Sequence, residues 1–185
     1  MTNNTPKERI ILGVDPGTTV MGYGVILVKG NQLSLLQFGV IHLSKYKDHA
    51  IKLHKIFERI SQIIEEFHPD EMAIEAPFFG ENVQSMLKLG RAQGVAIAAA
   101  ISREVPIFEY APKKIKQSVT GNGNASKEQV AAMLGTIFHF EAPKLLDATD
   151  ALGVAVCHYF QKGDTGKKTT GGWGSFIKDN PGRVK

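Results

Sequence analysis

The stretch Ile10-Ile11-Leu12-Gly13-Val14-Asp15-Pro16-Gly17 reads as a buried strand, because apolar and β-branched residues run on until Pro16 and Gly17 stop them. It delivers Asp15 to the strand's end. Gly22 to Val28 and Leu33 to Ile41 are two further apolar runs, joined across Lys29-Gly30-Asn31-Gln32 by a Gly-Asn turn. The chain therefore opens with three strands in an antiparallel meander. From Asp48 to His68, apolar residues such as Ile56, Ile60, Ile63 and Phe67 recur at three and four positions, and Pro69 ends the pattern, so this segment is an amphipathic helix. Glu71-Met72-Ala73-Ile74-Glu75 follows as a fourth strand, stopped at Ala76-Pro77, and it too ends in a carboxylate.

Glu81 to Arg103 has helical period and many small residues, including Gly90, Ala92, Gly94, Ala96 and Ala98 to Ala100, so that face packs against something within the fold or across a dimer. Val105 to Tyr110 is a fifth strand, which Pro106 assigns to an edge. Pro112 to Val119 is a short basic helix, followed by the loop Thr120-Gly121-Asn122-Gly123-Asn124-Ala125. Ser126 and Gln129 form a capping box that opens a helix to about Phe140, and Pro143 opens a last helix to about Gln161. The order β-β-β-α-β-α-β-α-α-α predicts an α/β fold with a five-stranded mixed sheet flanked by helices.

A length of 185 residues with 43% hydrophobic and 22% charged side chains fits one globular domain with a real core, and it excludes global disorder. The expected organisation is an extension at 1–8, one domain at 9–162 and a disordered basic tail at 163–185, rich in glycine, threonine and lysine. The first residues lack a signal peptide's apolar core, and the run Val95 to Ile101 is too short to span a bilayer, so a cytoplasmic protein without membrane association is expected. The single Cys157 excludes an intramolecular disulfide and reads as a small buried hydrophobe. The six histidines show no metal-site spacing and read as surface or satisfied core groups; His158 follows Asp150 by eight residues on one helix. The net charge of +4 is unevenly spread, because residues 163–185 hold +3 of it. The remaining +1 counts every acid of the body, so a basic surround is present wherever acids gather at one centre.

Asp15 and Glu75 each end a strand, and Asp147 and Asp150 lie three apart on one helix face. If the first and fourth strands are parallel neighbours, the last helix has only to cross their ends to bring four carboxylates together. Such a cluster repels itself by several kcal/mol, on the order expected at intermediate effective dielectric, unless protons or cations intervene. All-oxygen ligands favour Mg²⁺ or Mn²⁺ over Zn²⁺. Two such ions about 4 Å apart are a standard device for phosphodiester hydrolysis. The plainer reading is an Asp-Pro-Gly turn and a helix-dipole partner, but the joint placement favours metal-dependent nuclease chemistry.

Several motifs in order also resemble a known family. Ile11-Leu12-Gly13-Val14-Asp15-Pro16-Gly17 with Gly22-Tyr23-Gly24-Val25, Ala73-Ile74-Glu75, Leu87-Lys88-Leu89-Gly90 with Gly94-Val95-Ala96, Lys116-Gln117, and Asp147-Ala148-Thr149-Asp150-Ala151-Leu152 are similar to the bacterial RuvC Holliday-junction resolvases over about residues 9 to 160. The resemblance implies an RNase H-like fold and a homodimer, with the helix from Glu81 in its interface. It further implies Mg²⁺-dependent nicking of four-way DNA junctions, leaving 5′-phosphate and 3′-hydroxyl ends, in recombination and repair. It places the four metal-binding catalytic carboxylates on Asp15, Glu75, Asp147 and Asp150, with two Mg²⁺ per site and Mn²⁺ as a substitute. Junction DNA and the RuvA-RuvB branch-migration complex are the implied partners.

Lys113, Lys114 and Lys116 share one segment and Lys127 opens the next helix, so phosphates could approach the glycine-rich loop between them through its backbone N–H groups. The resemblance singles out Lys116 and Lys127 as DNA-binding and matches Phe78 to a base-stacking aromatic; Phe79 departs from the family pattern. Stacking on an unpaired base is worth about 1 to 3 kcal/mol. Three rivals stand beside this reading. An actin-like kinase shares the Asp15-Pro16-Gly17-Thr18-Thr19 hairpin but needs two domains, a ribonuclease H would select RNA–DNA hybrids through the 2′-hydroxyl, and a catalytically dead junction-binding scaffold would not need four intact acids.

Overall fold

The computed structural model describes residues 8–77, 82–140 and 146–163. In chain order the elements are β1 (Glu8–Asp15), β2 (Val20–Lys29), β3 (Gln32–His42), α1 (His49–Phe67), β4 (Glu71–Glu75), α2 (Val83–Ile101), β5 (Ile107–Tyr110), α3 (Pro112–Thr120), α4 (Lys127–Phe138) and α5 (Leu146–Gly163). The five strands make one mixed sheet in the order β3-β2-β1-β4-β5. β1, β2 and β3 pair antiparallel, as the opening meander predicts, while β4 runs parallel to β1 and β5 parallel to β4. β5 is thus an edge strand, and Pro106 before it contributes only its carbonyl, which accepts from the Met72 N–H at 2.9 Å.

The alternation of side chains along β1 divides the core into two layers. Leu12 and Val14 join Ile56, Ile60, Ile63 and the alanines of α2 on one face, whereas Ile11 packs with Val130, Leu134, Leu152 and Val156 on the other. α1 and α2 therefore cover one side and α4 and α5 the other. Polar caps fix where the helices begin. Asp48 accepts from the Ile51 N–H at 3.1 Å, Asn82 accepts from Ser85 at 2.9 Å, and Ser126 and Gln129 form the reciprocal capping box.

α5 lies unusually close to the sheet. A Cβ on Gly13 would sit 2.2 Å from the Ala151 carbonyl oxygen, and one on Gly22 would sit 2.1 Å from that of Asp147. The glycines of β1 and β2 thus admit the first turns of α5 against the strand ends. Among the described residues, no helix is long and apolar enough to cross a membrane.

Candidate active site

β1 and β4 are parallel neighbours, with Val14 opposite Ile74, so Asp15 and Glu75 emerge at the same end of the sheet. α5 crosses that end. One carboxylate oxygen from each of Asp15, Asp147 and Asp150 lies within 4.8 Å of the other two, and Glu75 stands beside this trio, close enough for its charge to act on Asp15. All four are partly exposed, and Asp15, Glu75 and Asp150 line a cleft of about 590 Å³, which also takes in Leu89 and Gln93 of α2 and Ile115 of α3.

The electrostatics are those of a compressed acidic centre. Burial first, and then the charges of Glu75 and Asp150, push the Asp15 carboxyl up to about 8. Glu75 is pushed up to about 7 by burial and by Asp150. Asp150 is also raised, chiefly by burial, against the pull of Lys127. The Lys127 ammonium donates to the Asp150 carboxylate and lies 3.7 Å from that of Asp147. Burial, the largest single influence, opposes its charge, but the hydrogen bond to Asp150 and the charges of Asp150, Asp15 and Asp147 together outweigh it and its pKa is raised.

This donor set fits a hard divalent cation. Asp15, Asp147 and Asp150 can each present an oxygen to one point, and like charges that hold protons near neutral pH are relieved by a metal ion. Oxygen-only ligation excludes the soft-metal sites built from thiolate.

Of the predicted DNA-binding residues, Lys116 and Lys127 both line the cleft, as does Lys113, while Lys114 does not. Phe78 and Phe79 lie outside the described residues, as does most of the segment 163–185. The loop after α3 differs from expectation. Its N–H groups are already used: Gly121 donates to the Gln117 carbonyl, Asn122 to Thr120 Oγ1, Gly123 to Gln117 Oε1, Asn124 to Asn122 Oδ1 and Ala125 to the Asn122 carbonyl. Because backbone donors find partners wherever side chains can reach them, the loop is a self-satisfied turn. Attraction for phosphate is left to the lysines.

Sequence reasoning missed Gln93. Its side chain is buried, and Nε2 donates to Glu109 Oε2 at 2.9 Å and to the Glu75 carbonyl at 3.4 Å, tying α2 to the end of β4. Its one sequence signal is an amide in an otherwise apolar, small-residue stretch of helix.

A mixed five-stranded sheet with an acidic centre across the ends of β1, β4 and α5 defines the RNase H-like nuclease class. The family described as crossover junction endodeoxyribonuclease RuvC matches residues 11–158. Over the whole chain, the sequence is 80% identical to the crossover junction endodeoxyribonuclease RuvC of Cytophaga hutchinsonii, of which it covers 94%, and 61% identical over 97% of its length to that of Christiangramia forsetii, again covering 94%. The structure of T. thermophilus RuvC in complex with Holliday junction substrate superimposes with a TM-score of 0.78 at 34% identity, over 83% of this chain and 94% of that one. The yeast mitochondrial Holliday junction resolvase Ydc2 shares the fold, with a TM-score of 0.59 at 15% identity over 84% and 81%. The chain belongs to the RuvC family of crossover junction endodeoxyribonucleases, and the ribonuclease H alternative gives way to it.

Proposed function

We propose that this chain, as a two-fold homodimer, resolves four-way DNA junctions by paired nicks hydrolysed at the acidic centre, leaving 5′-phosphate and 3′-hydroxyl ends. The observation that carries this is the convergence of Asp15, Asp147 and Asp150 beside Glu75, at a cleft that Asp15, Glu75 and Asp150 line together with Lys113, Lys116 and Lys127. Asp15, Glu75, Asp147 and Asp150 would hold two divalent cations, Mg²⁺ in the cell with Mn²⁺ as a substitute. Bound there, such cations would serve to activate the attacking water and stabilise the leaving 3′-oxygen.

The chain's own groups supply the rest. Asp15 and Glu75, on which burial and neighbouring carboxylates hold protons, would release them to ligate cations. Lys127 and Lys116 bring positive charge to the mouth of the cleft and attract the scissile phosphate, a sequence-independent and salt-sensitive contribution. Gln93 holds the Glu75 backbone against α2, and Phe78, three residues after Glu75, is assigned to stacking on a base at the crossover.

Dimerisation is supported by the outer face of α2. Val83, Leu87, Gly90, Gly94, Ala98 and Ile101 recur at three and four positions and are all exposed, and a Cβ on Gly90 or Gly94 would meet nothing within 4 Å. The buried alanines Ala92, Ala96, Ala99 and Ala100 serve the inner face. A junction has two-fold symmetry, so a second copy seated on this stripe would present a second centre to the strand of like polarity. The branch-migration proteins RuvA and RuvB are the proposed cellular partners of that complex.

Asp15→Asn and Glu75→Gln test the assignment. Each is expected to bind a synthetic junction within about twofold of the unaltered protein, less than 1 kcal/mol, while nicking in Mg²⁺ disappears. Full cleavage by both would overturn it.

A further inference from the structure

α5 carries more than its two aspartates. His158, eight residues beyond Asp150, is 0% exposed, and both edges of its ring are held. The Tyr110 hydroxyl on β5 lies 2.7 Å from Nδ1, and the Glu71 carboxylate at the start of β4 lies 2.8 Å from Nε2. Phe108 packs tilted against the ring with centroids 4.5 Å apart, and the Arg9 guanidinium on β1 lies 3.5 Å from the same Glu71. Burial, reinforced by Cys157 and Glu71, pushes Tyr110 up to about 12, so its hydroxyl keeps its proton beside Nδ1. One buried side chain joins α5 to the strands that carry or flank Asp15 and Glu75.

The spacing gives this tie a purpose. From His158 back to Asp150 the helix rises about 12 Å at about 1.5 Å per residue. From Glu71 forward to Glu75 the strand rises about 13 Å at about 3.3 Å per residue. α5 runs antiparallel to β4, so fixing one end of each brings the two carboxylates level at the other. The glycine and alanine seam between α5 and the sheet allows close approach but is non-directional. Short hydrogen bonds to a buried ring are directional, and sliding α5 by one residue would turn Asp150 through about 100° away from the centre.

We propose that the Tyr110–His158–Glu71 tie is a positioning device that sets the register of α5 on β4 and through it the cation affinity and turnover of the acidic centre. The proposal rests on the reading of that centre as the metal-holding site; His158 touches neither DNA nor metal in it. Groups that orient a metal's ligands are typically worth tenfold or more in affinity.

Full-length Tyr110→Phe, His158→Leu and His158→Gln test it, with Mn²⁺ occupancy followed by electron paramagnetic resonance and nicking followed at saturating junction. Tyr110→Phe and His158→Leu are expected to raise the Mn²⁺ concentration at half-occupancy on the order of tenfold and to lower kcat. Junction affinity in EDTA should not change. His158→Gln, whose amide reaches toward Glu71, should recover much of the loss. Should His158→Leu fail to fold, Tyr110→Phe removes one oxygen and still decides. Unaltered Mn²⁺ affinity and kcat in folded Tyr110→Phe overturn the proposal alone. An unaltered protein that neither binds Mn²⁺ nor nicks junctions overturns the reading of the centre, and the proposal with it.

Discussion

Asp15 is where the fold works hardest against ordinary solution chemistry. Its carboxyl moves from 3.8 to about 8 through burial and through Glu75 and Asp150. Between those values the native state holds a proton that the unfolded chain has lost, so native stability must fall as pH rises across the window. In EDTA, the urea midpoint of the protein should drop between about pH 5 and about pH 8, and Asp15→Asn should flatten that drop; a midpoint that climbs over the same interval would contradict the assignment. Lys127→Ala removes the ammonium from Asp150 and Asp147, so cleavage should slow. The slope of log affinity against log salt should shrink by about one phosphate contact, and an unchanged slope in a salt titration would remove Lys127 from the DNA interface. The residues at strand ends were legible because prolines mark those ends, and Asp147 and Asp150 because three residues separate them. Gln93, Glu71 and Tyr110 were not, since their partners lie 16 to 87 residues away and no local period reports them.

At the level of elements, α5 and the glycines beneath it fix where the acids meet. Gly22→Ala would drive a methyl into the Asp147 carbonyl oxygen at 2.1 Å, and neither group is a flexible side-chain end. Overpacking of this kind costs about 1 to 3 kcal/mol, and the helix must lift at the turn that bears Asp147. Thermal unfolding should show the loss, and nicking should fall further than stability does; activity equal to the unaltered protein would mean that α5 need not lie so close. Expected and observed elements agree in type and order, while their ends shift. β2 begins at Val20, before the run that starts at Gly22, because β3 pairs with it through His42 opposite Val20. α4 stops at Phe138, since His139 adopts the left-handed conformation that closes a helix. The loop at residues 120–125 shows the opposite limit, as a glycine-rich sequence suggests open donors but its asparagines, threonine and Gln117 use them.

For the whole molecule, the parallel pairing of β1 with β4 turns two separate strand ends into one centre. Sequence left this conditional, because the pairing joins residues far apart in the chain, such as Val14 with Ile74, and no local period reports it. The exposed stripe on α2 belongs to the same scale. Leu87→Glu puts a charge within it, so sedimentation should show monomers, and paired nicking should give way to single nicks or none; an unaltered dimer would move the interface elsewhere. The central claim is tested most directly by incubating the purified chain with a synthetic four-way junction, a plain duplex and an RNA–DNA hybrid, each in Mg²⁺ and in EDTA. Symmetric paired nicks in the junction alone, dependent on Mg²⁺ and sealable by ligase, are the predicted result, whereas cleavage of the hybrid in preference to the junction, or nicking that persists in EDTA, would contradict it.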